Sequence, residues 1–159
     1  MLGALTYSSS QEVSPRGNVM SEAVLVTGVG PGTGKAIVKR FASHGYRVAM
    51  LARSQERLEQ IEQQTPNTSA FVCDVADETQ LKAVLETIRR RLGAPKIVVH
   101  NAVGAERGTY AEVKPDNMRR AFEINTMALL ALAKQLSPDM QANGGGALNC
   151  TGNTSAYRG

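Results

Sequence analysis

No stretch of about 18 consecutive apolar residues, the length that crosses a bilayer, occurs in this 159-residue chain. A transmembrane helix is therefore not expected. The first ten residues also lack the basic flank and small-residue cleavage site of a signal peptide, so a soluble cytoplasmic protein without a membrane partner is expected. Cysteine is scarce: the 2 cysteines, Cys73 and Cys150, each end an apolar run and read as small core hydrophobes. Neither spacing nor neighbours suit a disulfide or a metal, and redox or zinc chemistry is not expected. Charge of one sign is scarce too, with 18 Lys plus Arg against 14 Asp plus Glu for a net +4. Its densest cluster, Arg89-Arg90-Arg91, ends an expected helix, where cations suit the dipole, and no nucleic-acid partner is implied. What is present is ordinary globular composition, 42% hydrophobic and 20% charged, in a length suited to one domain.

Residues 1–22 are rich in Ser, Gly and other polar residues and show no periodicity. They are expected to be a disordered tail, with Met20 a plausible start of translation. From residue 23 the pattern alternates. Apolar runs over 23–27, 47–51, 69–73, 96–100 and 147–151 read as strands, and helical spacing occupies 34–44, 55–64, 77–92 and 115–140. Leu81, Val84, Leu85, Ile88 and Leu92 make one apolar stripe; Met118, Ala121, Phe122, Leu129, Leu132 and Leu136 make another. Strands that are apolar throughout imply burial on both faces, so the expected fold is an α/β domain, a doubly wound parallel sheet.

The segment Thr27-Gly28-Val29-Gly30-Pro31-Gly32-Thr33-Gly34-Lys35 joins the first strand to the first helix. Glycines there allow a tight turn and close approach of a pyrophosphate, and the free N–H groups of the helix start favour its charge. A Walker phosphate loop fails twice: counted back from Gly34-Lys35, its first glycine is Val29 and its metal-holding hydroxyl is Ala36. At the end of the second strand stands Leu51-Ala52-Arg53-Ser54, where enzymes that prefer NAD place an acidic side chain for the ribose hydroxyl. Glu56, the first carboxylate after it, is expected to face outward. Arg53 and Ser54 suit a 2′-phosphate, so NADP(H) is the expected cofactor.

The loop resembles the cofactor loop of the short-chain dehydrogenase/reductases in type, spacing and place, and further resemblances follow in order. Asp74-Val75 is similar to that family's adenine-contacting pair, and His100-Asn101-Ala102-Val103 to its Asn-Asn-Ala-Gly stretch. Asn125 resembles the helix asparagine of its catalytic tetrad. Three departures stand out: Thr33 replaces an Ile or Leu, His100 the first Asn, and Val103 the Gly. The resemblance implies a Rossmann-like fold and hydride transfer between nicotinamide and a carbonyl or alcohol substrate. It implies a cofactor site of Thr27, Gly28, Gly32, Thr33, Gly34, Arg53, Ser54, Asp74, Val75, Asn101 and Ala102, and a homo-oligomeric intact enzyme.

Family chemistry also needs a Tyr and a Lys four apart on one helix, and a Ser. Tyr110 and Lys114 have that spacing, but they precede Asn125 rather than follow the Ser strand, and Lys114 is biased away from helix by Pro115. They are rejected. Alignment on the closing Arg158-Gly159 puts Asn153 in the Ser slot, giving Asn125 and Asn153 as the catalytic candidates. The expectation is thus the NADP(H)-binding front part of an oxidoreductase, 23–159, lacking its Tyr-x-x-x-Lys helix after the fifth strand and inactive as given. The rival is a non-catalytic nucleotide-binding or regulatory module. The apolar cluster at 128–133 favours the former, as surface meant for a further helix.

Overall fold

Runs of four to six residues without polar alternation suit strands covered on both sides. The computed structural model, which describes residues 22–105 and 108–152, has five strands in one sheet. They are β1 (Ala23–Thr27), β2 (Arg47–Ala52), β3 (Thr68–Val72), β4 (Ile97–His100) and β5 (Ala147–Cys150). All neighbours pair in parallel, in the order β3-β2-β1-β4-β5. Residues 1–21 of the expected tail, and Asn153, lie outside the described residues.

Successive side chains of a strand enter opposite cores. Val24, Val26, Val48, Met50 and Val99 meet Val38 and Ala42 of α1 (Thr33–Ser43) and Leu58 and Ile61 of α2 (Gln55–Gln64). On the other face, Leu25, Ala49, Leu51 and Val98 meet Leu81, Leu85 and Ile88 of α3 (Glu78–Leu92). Leu132, Leu136 and Met140 of α5 (Ala128–Ala142) close that core. The doubly wound α/β fold is therefore as expected. Most element ends agree with the sequence pattern to within a residue, and the differences have local causes. Asp77, for example, caps α3 rather than joining it, its Oδ1 accepting the Gln80 N–H at 2.9 Å. Among the described residues no helix is long and apolar enough to cross a membrane.

Two expectations are corrected. The helix expected over 115–140 is built in three pieces: α4 (Pro115–Phe122), a π-helical turn (Glu123–Met127) and α5. Met118 and Phe122, expected in its buried stripe, are exposed, because only Ala121 of α4 is buried against the rest of the domain. Cys150, expected in the core, is exposed, because among the described residues β5 pairs with β4 on one side only. Cys73 is buried as expected.

Candidate functional site

The strand order reverses between β1 and β4, and in such sheets a crevice opens at the carboxyl ends of the two strands. The loops leaving β1 and β4 touch there. Gly28 adopts φ +67°, and a Cβ on it would lie within 3.0 Å of the Ala102 backbone. A Cβ on Gly34 would sit 2.7 Å from the Gly28 carbonyl oxygen. These two glycines let chain pack on chain. Gly30 and Gly32 differ: a Cβ on either meets nothing within 4 Å, so their surface is open. Gly32 caps α1 without a side-chain hydrogen bond, and Thr33 begins the helix exposed, so the first N–H groups lie beside open space.

Beneath this surface a polar chain ties the loops together. Thr27 is wholly buried at the end of β1, where its hydroxyl is 2.9 Å from His100 Nδ1 on β4. Its oxygen accepts the Ala102 N–H at 3.4 Å. His100 Nε2 lies 3.0 Å from the carbonyl oxygen of Ile124, inside the π turn. Asn101 Nδ2 donates to the Gly28 carbonyl at 2.9 Å, and Thr151 Oγ1 donates to Asn101 Oδ1 at 3.2 Å. Asn125 clasps Gly104 at both backbone groups, accepting its N–H at 2.8 Å and donating to its carbonyl at 2.9 Å.

Burial lowers the pKa of His100 and outweighs the Ile124 hydrogen bond, which acts the other way. An unfolded His100 therefore binds a proton more readily than the folded one. Its contribution to stability is present above the ordinary value of 6.5 and is lost as pH falls through the lower folded value. Thermal melts from pH 8 to pH 5 are expected to show a decline that is shallower in His100→Gln; parallel curves would contradict this.

The cavity at the crevice measures about 630 Å³ and is walled by the ends of β1 to β4 and by Ile124. Of the expected residues, Gly28, Arg53, Ser54, Asp74, Val75, Asn101 and Ala102 line it together. Thr27, Gly32, Thr33, Gly34 and Asn125 are not among its walls; they support or flank it. Arg57 lines it as well, one helical turn beyond Ser54, and was missed because a lone helix arginine carries no motif. Ser54 Oγ caps α2 by accepting the Arg57 N–H at 3.4 Å, which brings the two side chains to one rim. Among the described residues neither Arg53 nor Arg57 has an ion-pair partner. Glu56 is exposed, accepts from Gln60 and is not among the walls. Asp74 is engaged: one oxygen pairs with Arg120 and the other accepts the Ala76 N–H at 3.1 Å. Cys73 forms part of the wall as a neutral thiol, its pKa pushed up to about 12 by burial first and by Asp74 and Asp77 next.

Tyr110 and Lys114 share no helix. Tyr110 is fully exposed in a turn, and Lys114 precedes α4 in extended geometry, φ −82° and ψ 129°. Asn153 lies outside the described residues.

Fold and crevice define a doubly wound α/β domain whose cavity lies at the topological switch point. The sequence profile of the family described as short chain dehydrogenase matches residues 22–157, and the chain belongs to that family of oxidoreductases. It is 29% identical over 131 residues to the 7alpha-hydroxysteroid dehydrogenase of Escherichia coli (strain K12), covering 80% of this chain and 51% of that protein. It is 28% identical over 141 residues to epidermal retinol dehydrogenase 2 of Mus musculus, covering 86% of this chain and 46% of that one. The chain thus spans about half the length of the curated relatives it matches. The crystal structure of a 3-ketoacyl-(acyl-carrier-protein) reductase from Brucella melitensis, complexed with NADH, superposes with a TM-score of 0.81 at 24% identity. That match covers 88% of this chain and 61% of the other and concerns the fold. The comparisons lend no support to the rival reading, a non-catalytic module.

Proposed function

We propose that residues 23–159 are the NADP(H)-binding front part of a cytoplasmic oxidoreductase that moves hydride between nicotinamide and a carbonyl or alcohol. The observation that carries this is the rim of the cavity: two guanidinium groups, Arg53 and Arg57, without ion-pair partners among the described residues, and no free carboxylate among its walls. That donor set suits a phosphate on the ribose better than a bare hydroxyl. Bound NADP(H) would supply the hydride. Arg53, Arg57 and Ser54 would hold the 2′-phosphate, and Asp74 with Val75 would flank the base. Gly32 and Thr33 would face the pyrophosphate, while Thr27, Gly28, Gly34, Asn101 and Ala102 keep the two loops in place. Asn125, and Asn153 in the Ser slot, would serve the reacting end. On this reading the intact protein is a homo-oligomer, and the chain as given does not turn over, since its tyrosine and lysine at 110 and 114 cannot act together.

Calorimetry tests the assignment. NADPH is expected to bind more tightly than NADH. One charge-assisted contact is worth about 1.5–3 kcal/mol, so Arg53→Ala should weaken NADPH roughly tenfold or more while leaving NADH nearly unchanged. Arg57→Ala should act in the same direction. Equal affinities for the two dinucleotides, insensitive to both substitutions, would remove the basis for choosing NADP(H).

A further inference from the structure

The ring of His100 lies where three segments meet: the end of β1, the start of the loop after β4, and the π turn. A π turn carries one more residue per turn than its flanking helices, which puts its carbonyls out of step with the α ladder. One of them, that of Ile124, is reached from outside the helix by His100 Nε2 at 3.0 Å. The next residue is Asn125, whose carboxamide holds Gly104 at both backbone groups.

We infer that His100 is a positioning residue, which fixes the turn bearing Asn125 to the cofactor loop through a single neutral tautomer. The direction of each hydrogen bond follows from the atoms. A backbone carbonyl only accepts, so Nε2 carries the proton and donates to Ile124. In the neutral ring Nδ1 is then bare and accepts the Thr27 hydroxyl proton, 2.9 Å between heavy atoms. The Thr27 oxygen accepts the Ala102 N–H. With only 3% of its surface exposed, His100 cannot exchange these partners for water. An apolar side chain of similar size would fill the space but leave the Ile124 carbonyl and the Thr27 hydroxyl short of a partner, which buried groups tolerate poorly. The role of Asn125 in the reaction rests on the function proposed above; the link from His100 to its turn rests on the distances alone.

The test uses the full 159-residue chain without nucleotide. Nitrogen-15 spectra of the ring should show the neutral form protonated at Nε2, and the Asn125 side-chain N–H that donates to the Gly104 carbonyl should exchange with deuterium more slowly than a free carboxamide. In His100→Leu that exchange should accelerate by roughly tenfold or more, and NADPH affinity should fall by a comparable factor. His100→Gln, which keeps a donor and an acceptor, should recover most of both. A ring protonated at Nδ1 overturns the inference, as does His100→Leu with the Asn125 exchange unchanged, or His100→Gln failing as badly as leucine. Should the leucine variant not fold, the wild-type tautomer and Thr27→Val decide: removing the hydroxyl donor must shift the Nδ1 resonance, and an unmoved resonance overturns the inference. The ring and Asn125 signals need no nucleotide. A chain that binds neither dinucleotide therefore defeats the functional reading while those signals still decide the role of His100.

Discussion

Gly28→Ala is expected to lower the stability of the domain by about 3 kcal/mol or more and to abolish measurable nucleotide binding. Two effects add. Residue 28 has φ +67°, a left-handed conformation that costs an L side chain about 1–2 kcal/mol. The added methyl would also lie within 3.0 Å of the Ala102 backbone, which has no rotamer to move away, and overpacking of this kind costs about 1–3 kcal/mol. Relief requires the loops after β1 and β4 to separate. That would stretch the bond from Asn101 Nδ2 to the Gly28 carbonyl and reshape the wall of the cavity. Against a net stability of about 5–15 kcal/mol this is a large fraction, visible as a drop of about 10 °C in the melting midpoint. Gly30→Ala is the control. Its methyl meets nothing within 4 Å, so stability should change by less than about 0.5 kcal/mol. Equal melting of the two variants would show that the contact between the loops is not the reason for glycine at position 28.

The two glycines also show how far the sequence could be read. The pattern of the loop was legible because its glycines follow an apolar strand and precede helical spacing. Which of them meets chain and which meets open space was not, since that depends on where the β4 loop passes, 73 residues later in the case of Asn101 and Gly28. Arg53 was legible from its place at a strand end, where the crevice must be. Arg57 was not, because a side chain reaching the same rim from the first turn of α2 leaves no trace in the pattern. His100 looked like a mere departure from the Asn-Asn-Ala-Gly stretch; its two partners, Thr27 and Ile124, come from opposite directions along the chain. Cys150 was misread for the opposite reason. Its strand is apolar in composition, but composition does not say that β5, among the described residues, has a neighbour on only one side. Both cores were read more reliably, because strands such as β1, buried at every residue, require helices on both faces.

The widest gap between periodicity and packing lies in the long helical segment, and a pair of substitutions separates them. Phe122 and Leu132 belong to the same apolar stripe by spacing, so periodicity alone assigns them similar costs. In the structure Leu132 is fully buried between the sheet and α3, in a cluster with Leu25, Leu85 and Val98. Phe122 is 55% exposed at the end of α4, just before the π turn. The buried stripe of α5 runs Ala128, Leu132, Leu136, Met140 in steps of four, and on α4 only Ala121 is buried. Leu132→Ala is therefore expected to cost about 2–5 kcal/mol, the transfer of the lost methyl groups plus the cavity they leave among well-packed neighbours. Phe122→Ala should cost less than about 1 kcal/mol despite removing a larger side chain, because its ring already faces solvent over half its area. Denaturant melts of the two variants at equal chain concentration measure the difference. A phenylalanine variant as unstable as the leucine one would mean that α4 lies against the core after all, and that the helix continues across 123–127 without the π turn that gives Ile124 to His100 and Asn125 to Gly104.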